Sequence, residues 1–558
     1  MTLENNSSRP ARETANALNH DNAKVEVAIV DLVEDQNGTH WVCYGTALRS
    51  IWFSIQELHA AESGVLAKLA GAGCILLTTK SKNRFKKQIE DAKGYRLASV
   101  AAHPGWCGQS FVFGDRTVVS PKHRSEKIIV AFQRDPRFEA AGTLEAWMTE
   151  VGRIIAGQPL PLAMLAYSFV PPLLRFVPEG TLNPQIELVG DRETGKSTVA
   201  VLAASVWSGK RNSDSGGGQN WNRTLGSLDP LKESHADVLL MLDEANSAGS
   251  NAREKADLLQ AAAFRFASTG TRTRLTDPVS STDVRVALLS TSNEPLSRLI
   301  KASKEIVDAV SSRMVTINVD KTKGVLATVP DGFEDASEAV ATLRGICAKN
   351  YGHPGRAFVV RLIEAASEDE NAIQEQISKW MALFLDKLSK HLGKDASSVR
   401  VKKVFAMMFA AGMLARKWDL LPNEWGSLTK SLLDVFDQVE GRSAKTAATG
   451  SSALERVAKY VQKQGDAIVR VKTLSGPVSL KKFSGSPGYL IRATGRKALL
   501  IPSERFRAEF EDHKAIMQQL RRLGLAKTER GKNPKLTIKT PSKICAKGRV
   551  YWIYLDTD

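Results

Sequence analysis

The sequence predicts an α/β protein built on a doubly wound parallel sheet, with a mixed α/β domain before it, a helical region after it and a basic winged helix at the end. Three observations lead there. A glycine-rich stretch, "VGDRETGKST", lies between an apolar run and a helical one. Two later runs, "ADVLLMLDE" and "DVRVALLSTSN", carry few polar residues, as strands buried on both faces do. Helical patterns alternate with these runs, which is how crossover helices are laid on a parallel sheet.

At 558 residues the chain is too long for one hydrophobic core. Residues 1–24 are polar and read as a disordered tail. Residues 25–135 mix short β-like runs ("KVEVAIVDLV", "GCILLTT", "SFVFGDRTVVS") with one helical stretch, "SIQELHAAESGVLAKLAGAG", and read as an N-terminal α/β domain. The sheet domain is expected over 136–350: "GTLEAWMTEVGRIIAG" and "PLAMLAYSFVPPLLRFV" as helices, "QIELVG" as a strand, "KSTVAVLAASVWSG" as the helix after the loop. From 351 to 440 every segment is helical in pattern. Residues 441–453 are small and polar and read as a linker. The remainder, 454–558, holds the basic helix "HKAIMQQLRRLGLA", then "KTERGKNPKLTIKT" and "GRVYWIYL" as a two-stranded wing, the pattern of a winged helix.

Hydrophobic content of 43% and charged content of 25% are those of an ordinary soluble protein. No run approaches the roughly 18 apolar residues of a membrane helix, and the N-terminus lacks the apolar core of a secretory signal, so a cytoplasmic protein is expected. Five scattered cysteines, never spaced C-x-x-C, suggest neither a disulfide framework nor a zinc site. The net charge of +17 is uneven: residues 451–558 hold 23 Lys and Arg against 9 Asp and Glu, an excess of 14. A polyanion partner is expected there.

The loop fits G-x-x-x-x-G-K-[ST], with Gly190, Gly195, Lys196 and Ser197 in the set places and Thr198 following. The glycines let backbone N–H groups curl toward phosphate oxygens at a helix N-terminus. Lys196 is expected on the β and γ phosphates of ATP and Ser197 on Mg²⁺. Asp243 and Glu244 end the apolar run "VLLML" 47 and 48 residues after Lys196. At the carboxyl edge of such a sheet, Asp243 would hold the metal's coordination shell and Glu244 would polarise the attacking water. An adjacent acidic pair favours hydrolysis over binding alone. Asn293, at the tip of "VALLSTSN", can bond both the γ-phosphate and the water. Arg313, between a helix and a strand in "DAVSSRMVTINVD", is a candidate arginine finger that would enter a neighbouring subunit's site.

The loop, "LLMLDEA" and "LLSTSNE" resemble the core of AAA+ ATPases, in which an Asn at that strand tip is called sensor 1. The flanking text resembles the domain-of-unknown-function 927 family of mobile genetic elements, through "HPGWCGQSFVFGD", "LAASVWSG", "NWNRTLGSLDPL", "YGHPGRAFV" and "VRVKKVFAMMFAAGMLA", from about 100 to 440. That resemblance implies a hexameric motor like the minichromosome-maintenance helicases, with a helical lid and a C-terminal winged helix. It also implies a lid arginine acting in trans as sensor 2. Arg400, opening a helix in "SSVRVKKVFAMMFAAG", matches that place, with Arg356 as a rival.

For DNA, Arg272 and Arg274 sit at a Gly-Thr turn that reads either as a pore hairpin following a strand's phosphates or as a short surface loop. Trp221 reads as core or as a base-stacking platform, with core favoured. At the C-terminus Arg521, Arg522, Lys527, Arg530, Lys532 and Lys535 combine a helix with a glycine-containing wing suited to phosphate. The expected function is an ATP-dependent DNA helicase or translocase acting on single-stranded or forked DNA as a homo-oligomer, with element-encoded replication proteins as partners. The alternative is a DNA-binding AAA+ regulator or loader that does not unwind. A primase-helicase is disfavoured, because the N-terminal domain shows no paired-acid polymerase motif and no zinc-ligand set.

Overall fold

The structure, a computed structural model, describes residues 27–555 except 47, 124–126, 179–180, 210–217, 271–282, 301–303, 393–397, 440–455, 459, 472–484, 494–495, 511–512, 523–524, 530–534 and 542–547. The predicted tail and linker lie outside the described residues. The chain divides into two compact units, one ending at Leu433 and one starting at Asp434. None of the helices among the described residues is long and apolar enough to cross a membrane.

The first unit opens with strands β1 (Ala28–Glu34), β2 (His40–Gly45), β3 (Ser50–Ser54) and β4 (Arg96–Leu97), in the order β3-β2-β1-β4. Helices α1 (Ile55–Ala60), α2 (Glu62–Gly71) and α3 (Thr79–Glu90) complete this layer. Val42, Tyr44, Phe53, Val65, Leu69 and Phe85 form its core. Two expectations are corrected here. The stretch predicted as one helix is broken at Ala61, whose φ of −148° and ψ of 58° are not helical. "GCILLTT" is not a strand: Cys74 is buried, but Ile75 and Leu77 are 63% and 82% exposed and no strand among the described residues pairs with it. The chain runs instead into Thr78, whose Oγ1 accepts the Ser81 N–H and caps α3.

"SFVFGDRTVVS" forms a hairpin of β7 (Ser110–Val112) and β8 (Val118–Val119). It extends β6 (Gly105–Cys107), while β5 (Val100–Ala101) pairs with β9 (Ile129–Val130). This segment is fastened to residues further along the first unit. The Trp106 backbone N–H donates to Asp237 Oδ2 at 3.0 Å and its indole N–H to the Pro172 carbonyl at 3.0 Å.

After helices α4 (Leu144–Ile155) and α5 (Pro159–Ser168) comes the central sheet. Its strands are β10 (Gln185–Val189), β11 (Gln219–Asn220), β12 (Leu239–Asp243), β13 (Ala287–Ser292) and β14 (Val315–Asn318), all parallel, in the order β11-β12-β13-β10-β14. Every residue of β10, β12 and β13 is buried, which is why these stretches read as continuous apolar runs. Helix α6 (Lys196–Ser205) packs on β12 and β13. On β12 and β13, Leu240, Leu242 and Leu288 share a core with α8 (Ala252–Ala267), which comes after α7 (Leu228–Ser234). The buried Glu187 of β10 accepts from Thr316 Oγ1 of the neighbouring strand at 2.6 Å and from the Leu296 N–H at 2.9 Å. Two helices, α9 (Leu296–Leu299) and α10 (Lys304–Ser311), lead into β14. Then α11 (Ala336–Lys349), α12 (His353–Glu368), α13 (Glu370–Leu392) and α14 (Val399–Lys417) form the helical region.

In the second unit the expected two-stranded wing is part of a larger sheet. Strand β20 (Arg549–Tyr554) lies between β17 (Arg496–Pro502) on one side and β18 (Ala526–Lys527) with β19 (Ile538–Lys539) on the other, and β16 (Tyr489–Ala493) and β15 (Val469–Arg470) continue it. Tyr551 and Ile553 pack with Phe506, Ile516 and Leu520 of helices Ser503–Glu509 and His513–Arg522, while Val550 and Trp552 face the other side. Both faces of β20 are covered, so it is a core strand.

Candidate nucleotide site

The register of the central sheet brings the predicted groups to one edge. Val189 stands opposite Ser292, and Leu242 opposite Ser290, so the glycine-rich loop, the acidic pair and Asn293 all leave the carboxyl ends of neighbouring strands. The strand carrying Asn293 lies between the other two.

Gly195 opens α6 at φ +86°, and a Cβ there would stand 2.6 Å from Val325 Cγ2. A Cβ on Gly190 would lie 2.9 Å from the Val319 carbonyl oxygen. Only glycine fits this cradle, which leaves the backbone of the loop open to a phosphate. The side chain of Lys196 is buried under the loop. Its Nζ donates to the carbonyls of Gly190 at 2.9 Å and Asp191 at 2.5 Å and to Thr194 Oγ1 at 3.2 Å. Burial lowers the pKa of this ammonium, and the charges of Asp191 and Asp243 oppose that shift. Thr198 is buried one turn into α6.

Ser197 Oγ donates to Asp243 Oδ1 at 2.8 Å. The same carboxylate oxygen accepts a second hydrogen bond from Thr291 Oγ1. Thr291 Oγ1 in turn accepts the Glu244 N–H at 3.0 Å, and Glu244 takes the left-handed conformation with φ 58° and ψ 65°. A non-glycine residue held there is strained, and the bond to Thr291 is what holds it. The Glu244 and Asn293 side chains are exposed. Asn246 Oδ1 ties the tips of β12 and β13 together, accepting from the Asn293 N–H at 2.8 Å and Ser292 Oγ at 3.0 Å. Sequence pattern alone singles out neither Thr291 nor Asn246.

A hydroxyl and a carboxylate in direct contact form a hard-oxygen donor pair that fits Mg²⁺. Among the described residues no cluster of three or more His, Cys, Asp or Glu could hold a metal alone. Phosphate oxygens and water would complete such a shell.

Arg313 lies elsewhere. Val315 stands opposite Ile186, which puts Arg313 at the amino end of β14, roughly 20 Å along the strands from the loop after Val189. Its guanidinium sits 4.4 Å over the Phe264 ring and donates to the Ala309 carbonyl at 2.8 Å. Arg400, in the first turn of α14, donates to the Ser312 carbonyl at 2.5 Å, beside Arg313. Its pKa is lowered by burial and by the Arg313 charge. The rival Arg356 is engaged otherwise: it pairs with Asp115 at 2.6 Å, donates to the Phe138 carbonyl at 2.9 Å and covers the Phe113 ring, so it fastens α12 to the N-terminal segment.

Arg272 and Arg274 lie outside the described residues; the chain on either side of them is anchored. The Val284 N–H donates to the Thr269 carbonyl at 2.8 Å, and Lys232 Nζ donates to the carbonyls of Ser268, Thr269 and Gly270 at 2.7, 3.1 and 3.1 Å. Trp221 belongs to the core: it is fully buried, with its indole N–H on Ser290 Oγ at 3.0 Å. In the second unit Arg521 and Lys535 are exposed, and Lys527 lies 4.7 Å over the Trp552 ring. Arg530, Lys532 and the side chain of Arg522 lie outside the described residues.

Residues 28–274 match the model of a family described as Domain of unknown function (DUF927). The match starts well before the expected residue 100 and ends before Asn293, Arg313 and Arg400. No curated protein sequence matches the chain. A solved structure described as "SCCmec type IV Cch - active helicase" is similar over 95% of this chain and 93% of that one, with a TM-score of 0.53 and 14% identity. At that identity the likeness is one of fold. A second, "The A form apo structure of NrS-1 C terminal region-CTR", covers 71% of this chain and 87% of that one, with a TM-score of 0.26 and 11% identity.

Proposed function

We propose that this chain is an ATP-dependent DNA helicase or translocase with an AAA+ core, a helical lid and a winged-helix-like C-terminal unit, working as a hexameric ring in replication of a mobile genetic element. One observation carries the reading: Ser197, Asp243, Thr291 and the Glu244 backbone form a continuous hydrogen-bonded chain beside the glycine cradle, while Arg313 and Arg400 share the opposite edge of the sheet. The first half of that arrangement is suited to gripping and hydrolysing a nucleoside triphosphate. The second half cannot reach it within one subunit, so a ring in which each subunit completes its neighbour's site accounts for both. The fold likeness to a protein described as an active helicase supports the motor form of this reading.

In this mechanism Lys196 leaves the loop carbonyls for the β and γ phosphates, and the loop N–H groups take up the remaining oxygens. Ser197 and Asp243 would hold Mg²⁺, which supplies neutralisation of the phosphate charge. Glu244 orients and polarises the attacking water, and Asn293 fixes it against the γ-phosphate. Arg313 from the adjoining subunit, with Arg400 beside it, stabilises the charge on the transferring group.

The test is ATP hydrolysis with and without single-stranded DNA, paired with unwinding of forked duplexes of both polarities, with Lys196→Ala as control. DNA-stimulated hydrolysis with unwinding, both lost in the control, is expected. Hydrolysis without unwinding on either fork would replace the helicase reading with that of a regulator or loader.

A further inference from the structure

Helix α3 belongs to the N-terminal layer and carries none of the residues expected at the nucleotide or at DNA. Its sequence, "TKSKNRFKKQIE", has five cations in twelve residues and one acid, at the last position. Phe85 is fully buried, and the residues flanking it on the wheel, Ser81, Gln88 and Ile89, are half-buried. This turns Lys80, Arg84 and Lys87 outward, and all three are exposed. Their spacing of i, i+4, i+7 sets them in one stripe, with about 6 Å of helix rise between the first two and about 10 Å across all three.

Three features separate this stripe from an ordinary solvated face. Helix stability favours acids in the first turn, and here the first turn holds Lys80 and Lys82 and no acid. The exposed faces of α8 and α13 mix signs within a few residues, as with Lys390 and Asp386, which pair at 2.6 Å. The stripe also borders a groove of about 520 Å³ between α3 and β1, floored by Ile29 and Leu32 and rimmed by Arg84, Lys87 and Lys93, with Asp91 its one acid. An apolar floor beside a row of cations suits a strand that has both a charged backbone and flat bases.

We propose that α3 and this groove bind a single DNA strand, with its phosphates along Lys80, Arg84, Lys87 and Lys93 and a base over Ile29 and Leu32. The N-terminal domain is then a second DNA contact of the chain. The choice of DNA as the polyanion rests on the function proposed above.

The experiment uses the full chain and fluorescence anisotropy with a labelled oligothymidylate of about 30 nucleotides, titrated between about 50 and 200 mM salt. Lys80→Ala/Arg84→Ala/Lys87→Ala is expected to weaken binding at least about fivefold and to make the logarithmic salt slope shallower by about two, the contribution of three phosphate contacts on a single strand. Lys80→Arg/Lys87→Arg should keep wild-type affinity, and so should Lys379→Ala/Lys390→Ala on α13. The single variants Lys80→Ala and Lys87→Ala, at exposed positions, should show the loss in smaller steps. Wild-type affinity and slope in the alanine variants would overturn the inference while leaving the motor reading intact. If the wild-type chain bound no oligonucleotide, with or without ATP, that reading would fall as well.

Discussion

Arg400 donates to the carbonyl of Ser312 and so stands beside Arg313, although one arginine opens α14 and the other lies between α10 and β14. Neither can serve the glycine-rich loop of its own chain, because Arg313 enters β14 at the end opposite that loop. In the ring proposed above, this corner of one subunit would face the phosphates held by its neighbour.

Arg313→Ala is therefore expected to lower ATP turnover by about 10³-fold, with little change in the KM for ATP. Mixing it with Lys196→Ala subunits should restore part of the hydrolysis, because each subunit type keeps the half-site that the other lacks. Absence of any recovery across mixing ratios would argue against a shared site.

Thr291→Val removes the hydroxyl that bridges Asp243 and the Glu244 N–H. A buried carboxylate loses one partner and a strained residue loses its restraint. The expected cost is about 1–3 kcal/mol in stability. Turnover should fall further than the loss in folded protein accounts for, with nucleotide binding retained. Thr291→Ser should recover most of the loss.

Gly195→Ala places a methyl group against Val325 at a backbone angle that alanine adopts poorly. A destabilisation of about 1–3 kcal/mol is expected, together with loss of nucleotide binding. Thermal unfolding with and without ATP analogues would show both: a lower midpoint and no rise on adding the analogue.

His235 is buried, and burial together with the nearby Arg137 charge pushes its pKa down to about 3. The unfolded chain takes up a proton near pH 6.5 that the folded chain refuses. Stability from this group is thus full above pH 6.5 and is lost as pH falls toward 3, by an amount on the order of 5 kcal/mol. Denaturant titrations of His235→Gln over that range should give a flatter profile than the wild type. Parallel profiles would show that other groups carry the acid sensitivity.

Much of the central sheet was legible because its strands are buried on both faces. "LLMLD" and "ALLSTS" have no solvent side, so each reads as a run of mostly apolar or small residues, while "QIELV" carries Gln185 and Glu187 into the same buried sheet. The helices α4, α6, α13 and α14 were legible from the spacing of their apolar residues. Short elements were not. "GCILLTT" has the composition of a strand, but a strand also needs a ladder, and among the described residues none pairs with it. The C-terminal hairpin looked like a wing because the sequence around it is basic, whereas β20 is held by strands on both sides.

What the sequence by itself determined is chemistry set by near neighbours. The spacing within "GDRETGKST" decides which backbone groups face one another across a single turn, and the end of an apolar run decides where Asp243 and Glu244 emerge. Only the tertiary structure decided what distant stretches do together: Thr291 against Asp243, Arg400 on Ser312 across 88 residues, Arg356 on Asp115 across 241. The physical reason is that local conformation depends on sterics and hydrogen bonds within a few residues. Strand order and helix docking depend on how the whole chain buries its apolar surface.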